Sequence, residues 1–374
     1  MRDVVEIGLG KNAQRGYHLD DIAIVPTRRT RDVDDVSTTW QLDAYPFKIP
    51  CIAHPSDATM SPTTAVRLAE LGGLGVLNVE GLWTRYDNPT KVLEELAALD
   101  EHANATRRLQ EAYAEPIRPE LIGERVRVMR EGGGTVAVRV SPQHTLSLAP
   151  VILDAGVDIL VIQGTIVSAE HVSTVDEPLN LKEFIADLDL PCIVGGCTNY
   201  QTALHLMRTG AAGVIVGVGA DEWSTTDRVL GIRVPMASAI ADAAAARRDY
   251  LDETGGRYVH LIADGEVRTS GDIAKALGCG ADAVMLGEPL SVCAEAPAGG
   301  AWWHSAASHP NLPRGAFAIA DGAEPLGSME RLLYGASDDP DGGLNLFGGL
   351  KRAMAKCGYR DLKEFQKVGL LLDT

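Results

Sequence analysis

Short apolar runs rich in Val, Ile and Leu recur along the chain, each preceded by a helix-patterned stretch and a Gly or Pro stop. They predict eight strands, at Pro50–Ala53, Gly75–Asn78, Thr135–Val140, Ile159–Gln163, Pro191–Gly195, Gly213–Gly217, His260–Ala263 and Ala283–Gly287. Their hydrophobicity is continuous rather than alternating, which is the pattern of parallel strands covered by helices on both sides. The intervening segments fit, with helices predicted at Asn180–Leu188, Tyr200–Arg208, Ala237–Thr254 and Ser270–Leu277. The junctions Thr209-Gly210-Ala211-Ala212-Gly213-Val214 and Cys279-Gly280-Ala281-Asp282-Ala283-Val284 echo each other, and Gly156-Val157-Asp158-Ile159 does so more loosely. In each, a Gly just past the last helical turn can take the left-handed conformation that closes a helix.

Eight strand–helix units over roughly 250 residues match a TIM (β/α)8 barrel. An open doubly wound sheet would usually carry fewer units and a GxGxxG fingerprint after its first strand, and none stands there. The fold class expected is therefore α/β, a TIM (β/α)8 barrel in a single domain. Residues 49–300 form the core, residues 1–48 an N-terminal extension packed on it, and residues 301–374 a flap-like segment and C-terminal segment completing the domain.

Composition narrows the function. A net charge of −17 opposes a nucleic-acid surface, which needs clustered Lys and Arg to displace counterions. Charges at Arg2, Asp3 and Glu6 oppose a signal peptide, and no apolar run approaches bilayer length, so a cytoplasmic protein without membrane contact is expected. Six scattered cysteines without a CxxC pair suggest neither a zinc site nor a disulfide framework, and no metal is expected. The runs Arg28-Arg29-Thr30-Arg31 and Arg247-Arg248-Asp249 read as a solvated loop and a polar helix face.

Barrel enzymes build their sites from loops at the C-terminal strand ends. Here these are Gly217-Val218-Gly219-Ala220-Asp221-Glu222-Trp223-Ser224-Thr225-Thr226-Asp227, Asp264-Gly265-Glu266 and Gly287-Glu288-Pro289. Together with His18-Leu19-Asp20-Asp21-Ile22-Ala23-Ile24-Val25-Pro26, Gly271-Asp272-Ile273-Ala274-Lys275-Ala276 and Gly342-Gly343-Leu344-Asn345-Leu346, they make the chain resemble the IMP dehydrogenase/GMP reductase family. Within it, the chain resembles the actinobacterial IMP dehydrogenase-related class. Residues 79–134, between strands two and three, are too few for the paired CBS domains that such dehydrogenases usually insert there.

The resemblance implies a purine-metabolism protein whose family reaction is NAD-dependent oxidation of IMP to XMP, with NAD as cofactor, a purine-related small-molecule ligand, and a homo-oligomer, tetramer or larger. In that chemistry a Cys thiolate attacks purine C2, hydride passes to NAD, and the covalent intermediate is hydrolysed; a thiolate suits the role because it is strongly nucleophilic near neutral pH. The family loop Gly-Ser-X-Cys-Thr-Thr, counted without gaps from Gly217 to Pro235, falls on Asp221-Glu222-Trp223-Ser224-Thr225-Thr226. Ser224 thus holds the nucleophile position and Thr226 that of the threonine near the reaction centre. Serine needs a base to take its proton, and no local pattern names one. The flap Arg–Tyr pair that activates water has no match in Ala301–Gly315, where His304 and Arg314 are the candidate stand-ins. Trp302-Trp303 reads as a lid over a ring, or as packing at a subunit interface or over the barrel mouth.

Asp264 matches the family aspartate that holds the ribose diol, and Gly217, Gly219, Gly265 and Gly287 keep the loop glycines, although each also reads as a turn or cap. Asp57 matches an aspartate after the first strand and also reads as a cap for a helix beginning near Ser61. Cys197, at the end of strand five, is the one thiol placed near the active face, with a buried inert cysteine as the plainer reading. Three positions that in the family touch the IMP phosphate through small or hydroxyl-bearing residues are Glu222, Glu266 and Glu288 here, and carboxylates repel a phosphate dianion. The expectation is a family member impaired or inactive in IMP oxidation. The alternative is an active NAD(P)-dependent oxidoreductase using a rebuilt site on a different purine or related ligand.

Overall fold

Every predicted apolar run forms a strand in the computed structural model, which describes residues 4–99, 104–174, 178–319 and 327–373. Arg2 and Asp3 of the charged N-terminal run, and residues 100–103 of the segment between strands two and three, lie outside these. The barrel strands are β1 Cys51–Ala53, β2 Val76–Asn78, β3 Ala137–Val140, β4 Ile159–Gln163, β5 Cys192–Cys197, β6 Gly213–Val216, β7 His260–Ala263 and β8 Ala283–Leu286. All pair in parallel, in the order β1-β8-β7-β6-β5-β4-β3-β2. A bridge between Ile52 and Leu74 brings β1 to the approach of β2, with Leu74 N donating to Cys51 O at 2.9 Å and Ala53 N to Leu74 O at 2.8 Å. Burial on both faces explains the unbroken apolar runs: apart from His260, every residue of these strands is buried.

Differences from the sequence reading sit at the ends. β5 runs two residues further than predicted, with a register shift between Gly195 and Cys197, whereas Gly217 and Gly287 fall just outside their strands. Helix Tyr200–Arg208 matches its prediction, and helix Ser270–Cys279 ends on Gly280 at φ 118°. Gly156 and Gly210 also take positive φ, at 80° and 98°, as the repeated junction requires. Asp57 does not cap helix Pro62–Glu70: Ser61 does, accepting from Thr64 N. Asp57 instead accepts from Leu82 N at 3.1 Å and Tyr113 OH at 2.5 Å.

Among the described residues, the segment between β2 and β3 holds no inserted domain. Its helices Thr90–Ala97 and Ala105–Ala112 place Leu93, Leu96 and Leu109 in a small second core with Trp302, Trp303 and Phe317. This seats the 301–319 segment over the barrel mouth, where Trp302 and Trp303 are buried, Trp303 donating to Tyr113 OH at 3.0 Å. At the opposite face, Arg247 is not part of a solvated helix face. It is buried and bonds Asp282 at 2.5 Å, and Lys363 and Tyr258 reach the same carboxylate at 2.7 Å. Burial works against the Asp282 charge, but Arg247 and Lys363 hold the carboxyl down at about 2. A half-satisfied buried carboxylate would be costly, so this cluster ties the C-terminal segment to the bottom of the barrel. Among the described residues no helix is long and apolar enough to cross a membrane.

Candidate functional site

The strand ends build one groove with two lobes across the C-terminal mouth of the barrel. The first lobe is a cleft of about 590 Å³ and the second one of about 720 Å³; they share His54, Gly219, Ala220, Asp221, Ser224, Asp264 and His304. Twelve of the site residues expected from the sequence line it, His304 and Arg314 among them. Gly217 and Thr226 face the first lobe, Glu222, Gly265, Glu266, Gly287 and Glu288 the second, and Gly219, Ser224 and Asp264 both. Cys197 lines neither lobe. It is buried, and burial pushes its thiol up to about 12, far from a thiolate at neutral pH.

Two glycines are fixed by space. A Cβ on Gly217, at φ 149°, would lie 1.8 Å from Asp264 O, and one on Gly287 would lie 2.5 Å from the Trp302 ring. Gly217→Ala must therefore push the ends of β6 and β7 apart. It is expected to destabilise the fold by about 3 kcal/mol, read in a denaturant melt; an unchanged midpoint would show that the two loops do not need this approach.

Charge divides the lobes. The first carries Arg85, Arg139 and Arg314 with His144 and His309, against Glu80, Asp221 and Asp264. Glu80 is buried and bound by Arg139 at 3.0 Å, by Ser141 and by His144; although burial opposes its charge, these partners bring it down to about 2. The second lobe is lined by nine Asp or Glu residues and three Arg. Glu222 pairs with Arg268, whose Nε lies 4.0 Å from Glu288 Oε2. Glu266, left-handed at φ 53°, turns toward the N-terminal segment and binds His18 Nδ1 at 2.5 Å and Leu19 N at 2.9 Å. The three glutamates thus do not all point free into the lobe: one is anchored, and two share one arginine. Burial raises the Glu288 carboxyl, with Arg268 pulling the other way.

Where the lobes meet, Asp264 accepts from Gln163 Nε2 at 2.9 Å and lies 4.0 Å from His54 Nε2. Burial pushes its carboxyl up to about 7 against the pull of His304. His304 Nε2 lies 3.2 Å from Asp221 Oδ1, which also accepts from Trp223 N at 2.7 Å. Burial disfavours charge on both groups, but their hydrogen bond and mutual attraction bring Asp221 down to about 2 and raise His304 above its ordinary value. Burial and the neighbouring His304 push His54 down to about 3, so it is neutral. Ser224 Oγ donates to Thr226 Oγ1 at 3.0 Å rather than to a base. Arg314 reaches Thr165 Oγ1 at 3.1 Å. Among the described residues no group of three or more His, Cys, Asp or Glu is arranged to hold a metal.

Sequence reasoning did not single out His54, Gln163, Asp221, Arg268 or the Glu80–Arg139 pair. Arg139 had a readable signal, a lone charge within an apolar strand at its C-terminal end. The pairing of Asp221 with His304 spans 83 positions and had none.

The profile of the IMP dehydrogenase / GMP reductase domain matches residues 16–309. An uncharacterized oxidoreductase of Mycobacterium tuberculosis is 61% identical over 373 residues, covering 98% of this chain and 99% of its own. The crystal structure of an IMP dehydrogenase/GMP reductase-like protein from Corynebacterium glutamicum superposes with a TM-score of 0.94 at 53% identity, covering 99% of this chain and 98% of that one. An inosine-5'-monophosphate dehydrogenase of Methanocaldococcus jannaschii is 23% identical over 465 residues, covering 95% of this chain and 92% of its own.

Proposed function

Because the chain belongs to the IMP dehydrogenase/GMP reductase family, we propose that it binds a purine-related ligand in the barrel-mouth groove but has lost the family's thiol-dependent oxidation of IMP. One observation carries this reading: Ser224, at the nucleophile position, gives its hydroxyl hydrogen to Thr226, and the buried Cys197 is no substitute. An alcohol whose hydrogen is given to another hydroxyl rather than to a base is a weak nucleophile at neutral pH.

The ligand class follows from the lobes. Asp264 at the waist suits a ribose diol, as it does by resemblance in the family. The acidic second lobe suits a neutral or cationic end better than a phosphate, so an unphosphorylated purine nucleoside fits better than its nucleotide. The first lobe fits the family cofactor NAD: Arg85, Arg139 and Arg314 line a cleft large enough for part of a dinucleotide, and Arg314 Nε is buried without a hydrogen-bond partner. Arg139 is committed to Glu80 and Gln163 O, so Arg314 with Arg85 would hold a pyrophosphate, and the bound nicotinamide would supply hydride acceptance. The waist, with Asp264 poised near neutrality and an Asp221–His304 pair, favours the second reading, an active oxidoreductase on a different purine-like ligand, over a silent barrel.

Assay of NADH formation with IMP tests the loss. The wild type should show none, and Ser224→Cys alone should not restore it, because the thiol returns without the phosphate lobe or water-activating flap and catalytic groups acting as a unit are strongly non-additive. Steady NADH production by the single variant would contradict this account.

A further inference from the structure

The waist of the groove gathers groups from four separate segments. His304 comes from the covering segment, Asp221 follows β6, Asp264 follows β7 and His54 follows β1. Asp221 accepts from His304 Nε2, and a carboxylate there selects the neutral tautomer whose Nδ1 carries the lone pair. Asp221 is itself fixed by Trp223 N, so the pair is oriented before any ligand arrives. The rings of His54 and Trp302 stand edge-on to His304, each with centroids 5.2 Å away. Burial opposes a proton on His304, while of the titratable groups facing it Asp221 and Asp264 favour one, and the edge-on His54 is neutral. Gln163, 8% exposed, gives its Nε2 to Asp264 and leaves Oε1 buried without a hydrogen-bond partner, an acceptor that a ligand N–H or O–H would satisfy.

We propose that His304, oriented by Asp221, adds water to an electron-poor C=N carbon of a purine-like ring held at this waist, activating the carbon without a thiol; this rests on the nucleoside reading above. Water gives a proton to His304 Nδ1 as its oxygen bonds the carbon. The C=N π pair moves to the ring nitrogen, which takes that proton back from His304. The step adds one water and is redox-neutral, and it asks nothing of Ser224. His304 is the catalytic residue, and Asp221 a positioning residue acting through it.

Purine riboside labelled with ¹³C in its ring, titrated into the purified protein, tests the step without any cofactor. On binding the wild type, one ring-carbon resonance should move from the aromatic to the tetrahedral range. In His304→Gln the nucleoside should bind with all ring carbons aromatic. In Asp221→Asn the tetrahedral signal should be lost or strongly reduced, and the ¹⁵N titration midpoint of His304 should fall. A ring that stays aromatic in the wild type, or a tetrahedral carbon that survives His304→Gln, overturns the proposal while the nucleoside reading stands. Absence of nucleoside binding overturns both, so the two failures are told apart.

Discussion

Replacing Asp264 with Asn should stabilise the free protein above neutral pH while abolishing much of its affinity for a ribose-bearing ligand. The carboxyl is raised by burial from an ordinary 3.8 to about 7, so between those values the folded protein holds a proton that the unfolded chain has released. Stability is therefore lost as pH rises through this window and is level above it. At about 1.4 kcal/mol per unit the full penalty would approach about 4 kcal/mol. One fifth of the side chain is exposed and Gln163 donates to it, so a gain of about 1 to 2 kcal/mol at pH 8 is the better expectation, a rise of a few degrees in the melting midpoint. At pH 4 the gain should vanish. An Asn variant that is less stable at pH 8, or equally stabilised at both pH values, would show that Asp264 is not a strained site group.

The second large effect concerns charge in the acidic lobe. Glu222 and Glu288 share the single guanidinium of Arg268, which leaves a net negative charge and no uncommitted cation among the three. At an effective dielectric near 20, a like-charge contact at about 4 Å costs on the order of 4 kcal/mol. Glu222 is 60% exposed, which screens part of that. Changing both glutamates to Ser removes the repulsion and releases Arg268 for a charge-assisted bond. IMP affinity should then rise about a hundredfold, close to 3 kcal/mol, with inosine changing less than about threefold. Equal changes for both ligands would mean that the lobe does not contact the 5' end of the ribose.

The barrel was legible because its strands are buried on both faces and its helices close on left-handed glycines; both leave local marks in sequence. The same holds for the loop glycines, which line the groove. Pairings between distant segments were not legible. Arg247 looked like a solvated charge because Asp282, its partner, lies 35 positions away, and Glu266 looked like a free carboxylate because its partners His18 and Leu19 stand at the other end of the chain. Nothing local marks Arg268 as the counter-ion of two glutamates either. In sequence His304 reads only as a stand-in, since its acid–base character comes from Asp221 and Asp264, which folding brings beside it.

On the proposed reading this groove accepts a purine nucleoside and disfavours its phosphate. Calorimetric titration of the wild type with inosine and with IMP, in the same buffer at moderate salt, tests it most directly. Inosine should bind more tightly than IMP by about tenfold or more. A micromolar IMP constant, tighter than that for inosine, would contradict the account.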